Sequence, residues 1–205
     1  MSNRYDAGGA QGSYEPGSAD QVLQNKLGVT DPDEMDEIEW LLLEQLYQAV
    51  LVEALPDRRL QVADLKSWHR RWLGNVYGWA GAERSVNMGK GDFHFAAAAQ
   101  VPRLLTVFEN ECLARFTPCH DIDDASLIEA IAMTHVEFIL IHPFREGNGR
   151  LSRLLADVMV VQSGREPLDY SAWEADKAAY FGAIQAGLAN DYGPMQRLVG
   201  AALVN

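Results

Sequence analysis

The sequence predicts a mainly α-helical domain carrying one small β-hairpin. Three observations point there. Apolar residues recur every three or four positions along most of the chain. Helix-start patterns stand before several of those stretches. One segment alone, with two glycines between alternating apolar residues, breaks the helical period. The length, 205 residues, suits one domain with a sizeable core.

Residues 1–17 are rich in Gly, Ser and Ala and carry no period, so they read as a flexible leader ahead of a domain over 18–205. Four stretches have the form of capping boxes: SADQ at 18–21, DPDE at 31–34 with Pro32 at the first helical position, SLIE at 126–129 and SAWE at 171–174. In such a box the cap side chain accepts an orphan backbone N–H, and the residue three later answers it. Leu65, Trp68, Trp72 and Val76 share one helical face; Val101, Leu104, Leu105, Phe108 and Cys112 share another. The run from Leu127 to Leu140 is apolar almost all round, which predicts a central helix packed on most sides. Residues 150–162 are similar, and helices at about 173–188 and 192–203 close the chain, parted by the turn signal NDYGP. The exception is ERSVNMGKGDFHFAAA at 83–98. There Gly89 and Gly91 lie among alternating Val86, Met88, Phe93 and Phe95, which predicts a hairpin or flap.

A formal charge of -12 argues against binding nucleic acid or an anionic membrane through bulk charge. An anionic small ligand would need a local cationic site. No apolar run approaches a membrane span and no signal-peptide pattern opens the chain, so the expected location is the cytoplasm. Cys112 and Cys119 form neither a CxxC pair nor a zinc cluster and are expected as reduced thiols.

The stretch IHPFREGNGRLSR at 141–153 concentrates polar and flexible residues between two apolar helices. Pro143 ends the first helix near Ile141 and biases His142 towards an extended backbone. Phe144 is the one large apolar residue of the turn and is expected to anchor it. Gly147 and Gly149 flank Asn148 and allow unusual backbone angles where the next helix starts, which makes an anion-binding nest. Arg150 and Arg153 share a face in that helix's first turns, where cations oppose the helix dipole at a cost of about 0.3–1 kcal/mol each. A polyphosphate would explain them, because guanidinium forks match phosphate oxygens. Glu146 fits beside phosphates if Mg²⁺ bridges the two. His142 is then the nearby proton acceptor. Taken singly, a histidine, a turn and an arginine pair are ordinary. Together at one junction they point to a site.

HPFREGNGRLSR resembles the signature of Fic-domain proteins, HxFx(D/E)GNGRxxR, at every specified position. NVYGWAGAERSVNMGKGDFHFA at 75–96, AYFGAIQAGLANDYGPM at 179–195 and VLQNKLGVTDPDEMDEIE at 22–39 are similar to the family's flap segment, its C-terminal helices and the entry to its bacterial toxin-like members. The resemblance implies a Fic fold, a helical bundle with a hairpin flap. It also implies AMPylation: AMP passes from ATP to a hydroxyl side chain of a target protein. His142 would be the general base, and Glu146 would hold Mg²⁺. Gly147, Asn148 and Gly149 would form the nest, with Asn148 near the α-phosphate. Arg150 and Arg153 would bind the β- and γ-phosphate region, and Phe144 would anchor the loop. The flap, Val86, Asn87, Met88, Gly89, Lys90, Gly91, Asp92, Phe93, His94 and Phe95, would pair with an extended target segment. The kinase-like Doc branch replaces the second glycine of GNG with lysine; Gly149 therefore favours AMP transfer.

Many members carry an inhibitory motif, (S/T)xxxE(G/N), whose glutamate meets the arginine at the position of Arg153. Here only Glu109 and Glu146 precede Asn or Gly, and Leu105 and His142 stand four residues before them. The nearest match, TDPDEM at 30–35, ends in Met35. The expectation is a bacterial toxin-like enzyme restrained by a small separate antitoxin. DNA topoisomerases are among the targets that the resemblance suggests. The competing readings are transfer of UMP, GMP or a phosphocholine group, a non-catalytic Fic scaffold, and a metal hydrolase using His135 and His142. The complete motif argues against the scaffold. The scattered His69, His94 and His120 argue against the hydrolase.

Overall fold

The computed structural model describes residues 6–7 and 10–203, with the backbone alone at residues 6, 7 and 10. Helix α1 (Pro32–Tyr47) begins where DPDE predicts: the Asp31 carboxylate accepts from the amides of Asp33 and Glu34, and Pro32 opens the helix. It runs on through a π-helical turn (Gln48–Glu53). Helix α2 (Val62–Leu73) buries Leu65, Trp68, His69 and Trp72 and packs on α1. Helix α3 (Val101–Phe108) continues through a π-helical turn (Glu109–Leu113) into the short α4 (Ala114–Phe116). Helix α5 (Asp124–Ile141) is the centre, packed against α3, against α6 (Asn148–Gln162), α8 (Lys177–Ala186) and α9 (Gly193–Ala202). That is why its sequence is apolar on nearly every face. Helix α7 (Ser171–Ala175) and a 3-10 turn (Gly187–Ala189) complete the bundle.

Three capping expectations are corrected. SADQ starts no helix: Ala19 and Asp20 take positive φ, and the Ser18 hydroxyl bonds the N–H and carbonyl of Val22 within a local loop. Before SLIE the cap is Asp123, whose carboxylate accepts from Ser126 at 2.8 Å, so the helix starts ahead of Ser126. At SAWE the helix starts on Ser171 itself, and the carboxylate of Asp169 takes the Ser171 amide at 2.9 Å. The single helix expected at 173–188 is two. Asp176 leaves the helical region at φ -124, ψ 74, and its carboxylate caps α8 by accepting from Ala179.

The hairpin is present as strands β2 (Met88–Lys90) and β3 (Phe93–His94), joined through Gly91 at φ +58. Gly89 pairs with His94, and Lys90 with Phe93. A further strand, β1 (Asp6–Ala7), pairs on the other side of β2. Part of what composition assigns to the leader is thus hydrogen-bonded to the domain. The Gln11 carbonyl accepts from the Arg145 guanidinium at 2.7 Å, and the Gln11 side chain accepts from the Ser85 amide at 2.8 Å. Cys112 and Cys119 are free and buried, and burial pushes both thiols up to about 12. Among the described residues no helix is long and apolar enough to cross a membrane.

Candidate active site

A cavity of about 520 Å³ lies where the end of α5, the start of α6, the flap and α8 meet. Of the residues singled out from the sequence, His142, Glu146, Gly147, Gly149, Arg150 and Arg153 line it, as do Lys90, Gly91, Phe93 and Phe95 of the flap. Phe144 and Asn148 do not; they hold the loop from behind. The Phe144 ring is buried and stacks on His69 at 4.1 Å. The Asn148 side-chain oxygen accepts from the Phe144 amide at 2.9 Å, and its NH₂ donates to the Phe144 carbonyl at 2.8 Å. That amide is spent on the loop, so Asn148 can offer an anion only its backbone N–H.

His142 is the C-cap of α5, and its N–H donates to the Phe138 carbonyl. Its backbone is left-handed, φ 50 and ψ 60, rather than extended as Pro143 suggested. Proline excludes the right-handed helical region for the residue before it, and a left-handed residue both closes the helix and turns the chain. The side chain is buried and stacked against Phe95 of the flap at 3.7 Å. Nδ1 lies 3.3 Å from the Ile139 carbonyl, which can only accept, so Nδ1 carries the proton and Nε2 is the basic nitrogen. Burial pulls the imidazole down to about 3, keeping it neutral.

The two arginines are held differently. Arg150 meets the buried Glu39 at 2.6 Å and Glu146 at 3.5 Å, and lies over the Trp72 ring at 4.6 Å. Glu39 also accepts from the Tyr77 hydroxyl at 2.7 Å, and burial raises its carboxyl above the ordinary value. Arg153 lies over Tyr170 and pairs with the half-exposed Glu174 at 2.6 Å. Behind it Asp157, raised to about 6 by burial, accepts from the hydroxyls of Tyr47 and Tyr170. Sequence reasoning missed Glu39, Glu174, Asp157 and His69. It also missed the aromatic wall of Trp173, Tyr180 and Phe181, in which Trp173 and Tyr180 stack at 5.4 Å. Lys90 of the flap reaches across to the Phe181 ring at 3.9 Å.

A model described as the Fic/DOC family matches residues 59–160. A protein of Sinorhizobium fredii named probable protein adenylyltransferase y4lH is 30% identical over 174 residues, 85% of this chain and 87% of that one. The chain belongs to the Fic/DOC family. The Fic protein adenylyltransferase of Nematostella vectensis is 26% identical over 72% of this chain, which spans 34% of that longer protein. The fold also matches that of BepC from Bartonella tribocorum, solved with bound AMPPNP, with a TM-score of 0.73 at 21% identity over 93% of this chain and 95% of that one. By the names of these relatives the chemistry of the Fic family is nucleotidyl transfer, and the chain is an enzyme of that class.

The two glycines of the Fic loop sit in different surroundings. Gly147 has φ +79, and a Cβ there would stand 2.6 Å from the Trp72 ring, which is fully packed. Gly147→Ala is therefore expected to cost about 2–4 kcal/mol of stability, the sum of a left-handed alanine and an overpacked core. Gly149 sits inside α6 with nothing within 4 Å of an added Cβ, so Gly149→Ala should leave stability almost unchanged. Urea denaturation of the two variants checks this; equal midpoints would contradict it.

Proposed function

We propose that the chain transfers AMP from ATP to a hydroxyl side chain of a protein target. One observation carries this: a neutral, buried histidine, two arginines and an aromatic wall face the same cavity. The aromatic wall suits a planar base, and the Gly147–Gly149 turn with Arg150 and Arg153 suits the phosphates. Arg153 is the easier of the two to release to a phosphate, because its partner Glu174 is half exposed whereas Glu39 is buried. The acceptor oxygen attacks the α-phosphorus and its proton passes to Nε2 of His142. The bond from that phosphorus to the bridging oxygen breaks, and pyrophosphate leaves. Such a displacement needs positioning and charge neutralisation more than covalent chemistry from the protein.

Glu146 is a hard oxygen donor lining the cavity. Mg²⁺ is commonly held by one or two carboxylates together with substrate phosphates. Glu146 would hold the ion, and the ion would neutralise phosphate charge. The target pairs with the flap as an added strand. With β1 and β3 on either side of β2, the edges left open among the described strands are β1 and β3, and β3 is the one that belongs to the flap.

Restraint comes, in our proposal, from a small antitoxin, in a cytoplasmic, bacterial setting. A groove of about 680 Å³ lined by Trp40, Tyr47, Leu51 and Val52 leads to Arg150 and Arg153, and Trp40 and Val52 are largely exposed. An amphipathic helix bearing a glutamate fits such a groove. Glu174 already occupies Arg153 from within the chain, but a pair this exposed is worth about 0–1 kcal/mol. Glu174→Gln should therefore improve the KM for ATP by no more than about fivefold. A much larger gain in steady-state assays would make Glu174 the principal brake and remove the need for a second protein.

The deciding experiment incubates the chain with Mg²⁺, bacterial lysate and ATP labelled at the α-phosphate, beside His142→Ala. A labelled protein band that depends on His142 supports the proposal. Labelling from UTP or GTP instead would change the donor, and no labelling from any nucleotide would sink it. Purified DNA topoisomerase in place of lysate tests that target. Equal growth of cells expressing the chain and the His142→Ala variant would argue against a toxin.

A further inference from the structure

Arg84 is buried at 2% exposure, and none of the ion pairs among the described residues includes it. Its guanidinium donates to backbone carbonyls instead. Nε reaches the His142 carbonyl at 2.6 Å, Nη1 that of Val86 at 2.6 Å, and Nη2 those of Ala96 and, at 3.2 Å, Ile141. Its own N–H donates to the Pro143 carbonyl at 2.8 Å. These carbonyls belong to two separate structures. Ile141, His142 and Pro143 form the end of α5 and the start of the loop. Val86 and Ala96 are the two feet of the flap.

Each contact answers a physical need. The last carbonyls of a helix have no partner within it and carry the negative end of its dipole, so a cation placed there is favoured. A left-handed, non-glycine residue such as His142 costs about 1–3 kcal/mol and persists only where its surroundings hold it. A buried guanidinium without a counter-charge is expensive unless its donors are satisfied, and charge-assisted bonds to several carbonyls do that. Burial brings it down to about 10, still protonated at neutral pH. Lysine could not replace it, since one ammonium cannot span carbonyls that a planar fork reaches in several directions.

We infer that Arg84 is a positioning residue, whose one guanidinium fixes the backbone of His142 and the two feet of the flap to each other. The acceptor held on the flap and the base that takes its proton then keep a set separation. The activity arm of the test rests on the proposed transferase reaction; the exchange arm does not.

The test uses Arg84→Lys on the full chain. Labelling of lysate protein from α-labelled ATP should fall about ten- to a hundredfold, the scale of a small misplacement of reacting groups. Affinity for AMPPNP with Mg²⁺, read by calorimetry, should stay near wild type, since Arg84 does not itself line the cavity and reaches it only through the His142 backbone. Amide hydrogen exchange should rise together at His142 and Ala96, which bond the Phe138 and Leu140 carbonyls, and stay unchanged in α1. A folded variant with wild-type labelling and exchange overturns the inference. So does nucleotide affinity falling in step with labelling, which would mean general damage to the site. If the variant does not fold, exchange in the wild-type chain decides: His142 and Ala96 should open with one shared free energy, and two unrelated ones overturn it. If the wild type labels nothing, the transferase proposal fails while the exchange result still stands.

Discussion

His142→Ala should lower labelling of protein from ATP by about 10²–10⁴-fold, the range general-base catalysis supplies. Binding of AMPPNP and the melting temperature should change little. The imidazole stacks on Phe95 and its Nδ1 faces the Ile139 carbonyl, contacts local to the end of α5 and the flap. A variant that keeps more than about a tenth of wild-type labelling would show that proton removal is not the main barrier. The pH profile sharpens the test. An exposed histidine base would lose activity as pH falls through about 6.5. Here burial brings His142 down to about 3. The basic form is the active one, and it is lost only as pH falls through the folded value. Activity measured at pH values where the chain stays folded should therefore show no inflection near the ordinary histidine value.

How much of this was legible beforehand follows from where the information lies. HPFREGNGR is contiguous, and its chemistry depends on spacing along one helix start, so the sequence alone brought His142, Glu146, Gly147, Gly149 and Arg150 to one place. The flap was legible because alternation and paired glycines break a helical chain. The partners of these groups were not legible. Glu39 reads as one acid among many on α1, yet it takes Arg150 in the core. His69 reads as a stray histidine, yet its Nε2 donates to the Glu146 carbonyl while Nδ1 accepts from the Gly81 amide. Arg84 is one residue of the hairpin stretch at 83–98 that nothing in the pattern singles out. Each acts on a segment distant in the chain, and no period or cap records that. The backbone of His142 was misjudged for a related reason. The proline rule disfavours the right-handed helical region and favours an extended backbone, and closure of α5 overrode that preference with a left-handed residue.

The chain is expected to lose stability steeply in mild acid. Three histidines are buried in the neutral form: burial holds His69 at about 4 and His135 and His142 at about 3. His69 shows why protonation cannot be absorbed, since its Nδ1 already accepts from Gly81 and a second proton there would face an N–H. Their folded values lie below the unfolded value of 6.5, so between those limits the unfolded chain binds more protons, and stability falls as pH falls. At about pH 5 each contributes a loss of about 2 kcal/mol, and the three together about 6. Asp157, raised to about 6, and Glu39, also raised by burial, act with the opposite sign, because the folded state then holds the extra proton; Asp157 returns only about 1–2 kcal/mol at the same pH. The net loss is comparable to the total stability of an ordinary domain, about 5–15 kcal/mol. Thermal melts across pH should show the midpoint dropping progressively below about pH 6.5, with unfolding by about pH 4–5. The ring resonances of these three histidines should stay in their neutral positions until the fold is lost. A constant melting temperature down to about pH 5 would contradict the burial argument, as would one of the three titrating in the folded state near the ordinary value. The same burial that keeps the base neutral thus makes the fold acid-labile. Activity at low pH should follow the folded fraction in direct proportion rather than the titration of His142.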